Sequence, residues 1–302
     1  MGGLKSGRIE LDKYINNRNT AGMYYRETTV AGKTIFVQKK ATSRIETKGR
    51  KRRAKCNPTA AAVQKVNDRN AERDLAIKLN ANFTEGDYHL TLTYSGDAPT
   101  PSQAKRQLHN FFQNIRRWSK KECVEVKYIA VTEYEHKRIH HHVVLTGIDQ
   151  KVIEKYWKYG HVNYKLLDET GNYSRLAAYL LKETARTFRE ADNPCKRRYT
   201  CSRNIVTPET KRELITSKEV SEEPKPIKGY YIDKDTIQYY DHAILEVECC
   251  EYIMISLDVK PRLKRWGRGE KIKPEKYYKI TEYEEQLRIE GTHDSQRIPN
   301  AD

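Results

Sequence analysis

Apolar positions recur along the chain in two rhythms, and the alternation between them predicts the elements. Ala60, Ala61, Val63, Val66, Ala71, Leu75, Ile77 and Leu79 follow Pro58 at helical spacing, which predicts a helix running to about Asn80. YHLTLTY (residues 88–94) alternates and is rich in β-formers, so it reads as a strand. Gly96, Pro99 and Pro101 break the chain, and Ser102 can cap a helix whose Leu108, Phe111, Phe112, Ile115 and Trp118 form one apolar face. Two strands follow, KYIAVTEY and IHHHVVLTG, joined across residues 135–138. A short helix over 152–157, a strand over 162–167 and a second long helix over 173–189 complete the series. That order predicts an α+β arrangement, an antiparallel sheet with helices packed on one face.

The flanks read differently. Residues 1–57 are polar, with YYRETT and KTIFVQK placed to form a hairpin around Ala31 and Gly32. Their charge peaks in KGRKRRAK, where Lys48, Arg50, Lys51, Arg52 and Arg53 suit an arm that grips phosphates or a merely solvated tail. Lys196, Arg197, Arg198 and Arg203 form a second basic stretch. A Pro- and charge-rich connector (217–228) then leads to strand-like runs near 230–240 and 245–257 and to a helical KITEYEEQLRI. The expected division is a basic N-terminal arm (1–57), a catalytic domain (58–208) and a smaller, partly β, C-terminal accessory region (209–302).

Charge sharpens this picture. A formal net charge of +16 over 302 residues favours a polyanionic partner, without separating DNA from RNA. No run approaches the ~20 apolar residues of a membrane span, so no membrane role is expected. Six cysteines without a CxxC pair read as reduced thiols, as in a cytoplasm.

KRIHHHVVLTG carries the first candidate chemistry. Side chains alternate along a strand, so His140 and His142 share one face, about 7 Å apart, and His141 falls on the other. An even-length loop across 135–138 sets Glu133 opposite His140 with Cβ atoms about 5 Å apart; an odd one would bring Tyr134 there. Glu135, nearer the turn, is the second choice. Two histidines and a carboxylate leave open positions for substrate oxygens and suit Mg²⁺ or Mn²⁺ without excluding Zn²⁺. A lone His-x-His is also frequent on surfaces.

NYSRLAAYLLKETAR carries the second. Tyr179 and Lys182 lie three residues apart, about 60° around one helix face. A tyrosine can attack a phosphodiester when a cation withdraws charge from the non-bridging oxygens, and Lys182 can supply further positive charge. Plain core packing would also explain Leu176, Tyr179 and Leu180. Tyr173, about 120° away around the same helix, is the alternative nucleophile.

Taken in order, LTLTY, then His-x-His on a strand, then Tyr-x-x-Lys on a helix, resemble the motif set of HUH endonucleases. The chain is most similar to the rolling-circle replication initiators of small plasmids and phages, the replication-associated G2P-like group. Supporting stretches are NDRNAERDLAIKLNANF, WKYGHVNY and SRN (202–204), and the likeness covers about residues 57–208. The resemblance implies a five-stranded antiparallel sheet of ferredoxin- or RRM-like type and a divalent cation held by His140, His142 and a polar residue. It also implies a 5′-phosphotyrosine on Tyr179, assisted by Lys182. One departure stands out, because the middle position of the His motif is normally hydrophobic and here is His141. The implied partners are single-stranded origin DNA and a host helicase and polymerase in a bacterial cytoplasm, since no G-x-x-x-x-G-K-[ST] loop occurs. A relaxase, a single-tyrosine transposase and a non-catalytic nucleic-acid-binding module are the alternatives.

Overall fold

The computed structural model of the protein describes residues 23–42, 61–134, 139–187, 197–241 and 247–258. The basic run with Lys48, Arg50, Lys51, Arg52 and Arg53, residues 135–138 with Glu135, Lys196 and the KITEYEEQLRI segment lie outside the described residues.

Strands β1 (Met23–Ala31) and β2 (Thr34–Thr42) form the expected hairpin. Its turn needs a glycine twice over: Gly32 has φ +57°, and a Cβ there would lie 2.1 Å from the carbonyl oxygen of Asn80. Asn80 belongs to helix α1 (Ala61–Asn82). Its amide donates to Thr34 Oγ1 at 2.8 Å and accepts from the Tyr173 backbone N–H at 2.9 Å, so one buried side chain ties the hairpin to a later helix.

Next come β3 (Tyr88–Leu92) and α2 (Pro101–Lys121). Thr100, rather than Ser102, caps α2. Its Oγ1 accepts from Gln103 N at 3.3 Å while its own N–H donates to Gln103 Oε1 at 2.9 Å, and Pro101 fills the first turn, where no N–H is needed. After β4 (Tyr128–Glu133) and β5 (His140–Leu145) follow α3 (Gln150–Tyr156), β6 (Val162–Leu166), α4 (Ser174–Thr187) and β7 (Thr200–Cys201). Strands β3 to β7 make a five-stranded antiparallel sheet in the order β6-β3-β5-β4-β7.

Helices cover both faces of this sheet, not one. Leu90, Leu92, Tyr128, Ala130, Val143 and Leu145 pack against Leu108, Phe111, Phe112 and Ile115 of α2. Alternation sends Ile129, Val131 and Val144 the other way, onto Leu75 and Leu79 of α1 and Ala177, Leu180 and Leu181 of α4. Each large apolar side chain so buried contributes roughly 1.5–3 kcal/mol.

Strand β8 (Thr210–Ile215), helix α5 (Ser217–Ser221), β9 (Tyr230–Asp241) and β10 (Glu248–Ser256) complete the fold. A second five-stranded antiparallel sheet runs β8-β1-β2-β10-β9. The proposed division at 57 and 208 therefore runs through one sheet, because the hairpin of the supposed arm pairs with strands of the supposed accessory region. Phe36, Ile253 and Ile255 of that sheet share a core with Leu75, Leu79 and Val131, so α1 and α4 lie between two sheets.

Candidate metal centre

Central strands β4 and β5 position the first three side chains. Their register sets Glu133 opposite His140 and Val131 opposite His142. Glu133 Oε2 lies 2.9 Å from His140 Nε2 and 3.8 Å from His142 Nε2. Glu133, His140 and His142 together form a group that could hold a metal ion, with ligand atoms all within 4.8 Å of one another. Oxygen and nitrogen ligands about 2.1 Å from one ion are at most about 4.2 Å apart, so both measured separations fit.

One atom tests the fit further. His142 Nε2 is buried and has no hydrogen-bond partner. Such an orphan ordinarily costs about 1–3 kcal/mol, and a cation facing it would remove that cost. Burial first, then His89 and His140, holds the His142 pKa down at about 3, so the ring is neutral and can act as a ligand at physiological pH.

His141 lies on the opposite face, 0% exposed, in an aromatic pocket with Tyr94 and Trp157. Tyr94 Oη is 2.7 Å from its Nε2 and Thr132 Oγ1 is 2.8 Å from its Nδ1. Both ring nitrogens are thus satisfied inside the fold, which accounts for a polar residue where the resemblance leads one to expect an apolar one. Burial, and secondarily the neighbouring histidines, keeps its pKa at about 3.

The two candidate tyrosines separate cleanly, Tyr173 immediately ahead of α4 and Tyr179 within it, so the helix expected from 173 starts one residue later. Tyr173 is only 4% exposed, donates its hydroxyl to the Asp168 carbonyl at 3.0 Å, and is pushed above the usual phenol range by burial and then by acidic neighbours. Tyr179 is 49% exposed and sets its ring edge-on to His142, with centroids 5.3 Å apart. Lys182 is exposed on the same helix.

The basic residues are less uniform. Arg197 and Arg203 are exposed, whereas Arg198 is ion-paired with Asp68 of α1. Tyr94 and Trp157 are 6% and 2% exposed, so neither presents a ring face on which a base could stack. Trp157 is held in by its Nε1–H donating to the Thr93 carbonyl at 3.0 Å.

Sequence reasoning missed His89. It lies on β3 with its Nε2 3.2 Å from His142 Nδ1 and its ring 6.3 Å from that of Tyr179. Burial, then Lys165, holds its pKa at about 4. Alternation within YHLTLTY already put His89 and Thr91 on a face apart from Leu90 and Leu92. Which face of which neighbour they met depended on a register that no short loop fixes.

Residues 87–184 match the family model described as replication-associated protein ORF2/G2P. The matched segment spans less than half of the chain and contains Glu133, His140, His142, Tyr179 and Lys182. No curated protein and no solved structure matches the chain. The match supports a replication-associated protein. Among the described residues, no helix is long and apolar enough to cross a membrane.

Proposed function

We propose that the chain initiates rolling-circle replication, nicking and religating single-stranded DNA at an origin as an HUH-type endonuclease. The observation that carries this reading is the half-exposed Tyr179 ring standing 5.3 Å from that of His142, beside the Glu133, His140 and His142 group. The family match over the same residues is consistent with it.

In this reading Tyr179 is the nucleophile. Its phenol proton passes to water and the phenolate oxygen attacks the scissile phosphorus. The bond from phosphorus to the 3′ oxygen breaks, the leaving oxygen takes up a proton, and the 5′ phosphate stays on Tyr179. One phosphodiester is exchanged for another, so attack by a 3′-hydroxyl reverses the step without ATP and the free 3′ end primes synthesis. Lys182, one turn along the exposed side of α4, contributes positive charge to the phosphate. When bound to Glu133, His140 and His142, Mg²⁺ or Mn²⁺ supplies Lewis-acid charge to the non-bridging oxygens. The basic run Lys48, Arg50, Lys51, Arg52 and Arg53 together with Lys196, Arg197, Arg198 and Arg203 would contact backbone phosphates, which makes binding steeply salt-dependent.

The test is incubation of the chain with single-stranded DNA of its own element and Mn²⁺. An adduct that survives denaturant is expected, with its 5′ end at the origin; Tyr179→Phe abolishes it, and so does a chelator. An adduct that persists in Tyr179→Phe but vanishes in Tyr173→Phe would reverse the nucleophile assignment. Tight binding with no adduct on any strand would favour a non-catalytic module, and an adduct mapping to a transfer origin or transposon end would favour a relaxase or transposase.

A further inference from the structure

A histidine that presents Nε2 to a cation must carry its proton on Nδ1, and that N–H needs an acceptor. The register of β3 against β5 pairs Thr91 with His142 and His89 with Val144, so His89 is a diagonal neighbour of His142 on the same face. Their rings stand 5.2 Å apart, tilted by 36°. Two atoms reach His142 Nδ1: His89 Nε2 at 3.2 Å and, more distantly, Thr91 Oγ1 at 3.4 Å. On the far side of the same ring, Nε2 is buried, has no hydrogen-bond partner, and faces Glu133 at 3.8 Å.

We propose that His89 is a positioning residue of the metal centre: its Nε2 accepts the hydrogen bond from His142 Nδ1–H, which fixes the ring and leaves the His142 Nε2 lone pair aimed between Glu133 and His140. This rests on the reading of Glu133, His140 and His142 as a cation site. A ligand ring without such a partner can rotate or adopt the other tautomer, and losing a partner of this kind typically weakens metal affinity roughly 10- to 100-fold. His89 also stands edge-on to Tyr179, with centroids 6.3 Å apart, so the same ring borders both the ligand and the tyrosine.

Mn²⁺ binding to the full chain, measured by calorimetry without DNA, tests this. His89→Phe keeps a flat ring but offers no acceptor, and is expected to weaken Mn²⁺ binding roughly 10- to 100-fold; His89→Gln, which can accept through its amide oxygen, should stay within about threefold of wild type. Wild-type affinity in His89→Phe overturns the positioning role. So does equal loss in His89→Gln and His89→Phe, since the acceptor restored in the one would then make no difference. Nitrogen-15 spectra of the wild-type chain supply a second readout that no folding defect can obscure: the His142 signals should report protonated Nδ1, and protonated Nε2 would overturn the proposal. Failure of the underlying reading looks different, because wild type would then bind no Mn²⁺ or His140→Ala would leave binding unchanged, whereas failure of the inference alone leaves binding dependent on His140 and indifferent to His89.

Discussion

His141 shows what one side chain's placement does to stability. Its pKa falls from an ordinary 6.5 to about 3 because burial penalises the charged ring. In the unfolded chain the ring takes up a proton near pH 6.5, so between about 6.5 and 3 the unfolded state binds more protons and stability falls as pH falls. A urea midpoint that drops from pH 7 to pH 5 is expected, with a shallower drop in His141→Leu. At pH 7 that substitution strands the Tyr94 hydroxyl in an apolar pocket, which should cost about 1–3 kcal/mol while leaving Mn²⁺ affinity within about threefold. Tyr173, just ahead of α4, and Tyr179 within it divide the same way. Tyr173→Phe loses one hydrogen bond to the Asp168 carbonyl and should cost about 1 kcal/mol with adduct formation retained, whereas Tyr179→Phe should unfold like wild type and form no adduct. At this scale much could be read in advance: strand parity alone separated His140 and His142 from His141, whereas Tyr173 stands apart from Tyr179 because it precedes α4 and is held by the Asp168 carbonyl, not because of helix spacing. His89 stayed hidden because parity assigns a face but not a neighbour.

Elements were legible where a short connection or a strict period constrained them. Only six residues separate the end of β4 from the start of β5, so a Glu133–His140 pairing could be anticipated from parity. β3 reaches β5 only after α2 intervenes, so its pairing of Thr91 with His142 had no local signature. The loop after α3 is a similar case. Thr93 N–H donates to the His161 carbonyl at 2.9 Å and Ser95 N–H to the Tyr159 carbonyl at 3.0 Å, which extends β3 onto a segment that carries no strand pattern of its own. Gly160 makes that contact possible, since a Cβ there would stand 2.2 Å from the Thr93 carbonyl oxygen. Gly160→Ala should therefore push the loop off the strand and loosen Trp157 over His141. A destabilisation of more than about 2 kcal/mol in urea unfolding is expected, with increased Trp157 exposure read from its fluorescence.

At the scale of the whole molecule the sequence was least informative, because the second sheet joins segments far apart in the chain. β1 and β2 read as a lone hairpin, and β9 and β10 as two isolated strand-like runs; nothing local says that β2 pairs with β10 or β1 with β8. Yet their joining decides what can fold alone. Phe36, Ile253 and Ile255 cover the face of α1 and α4 that the site-bearing sheet leaves open, and Asn80 bonds both to Thr34 of the hairpin and to the start of the tyrosine helix. A chain cut to residues 58–208 keeps every proposed metal ligand and Tyr179 but loses that cover and leaves one side of the Asn80 amide unsatisfied. The full chain should unfold in one cooperative transition by calorimetry. The cut chain should bind an apolar dye, lose the sharp transition and fail to form the adduct, and restoring residues 23–42 alone should not rescue it, since β10 would still be missing. A cut chain that melts cooperatively and nicks DNA at the wild-type rate would show instead that the site-bearing sheet and its helices are an independent domain, with the second sheet an appendage.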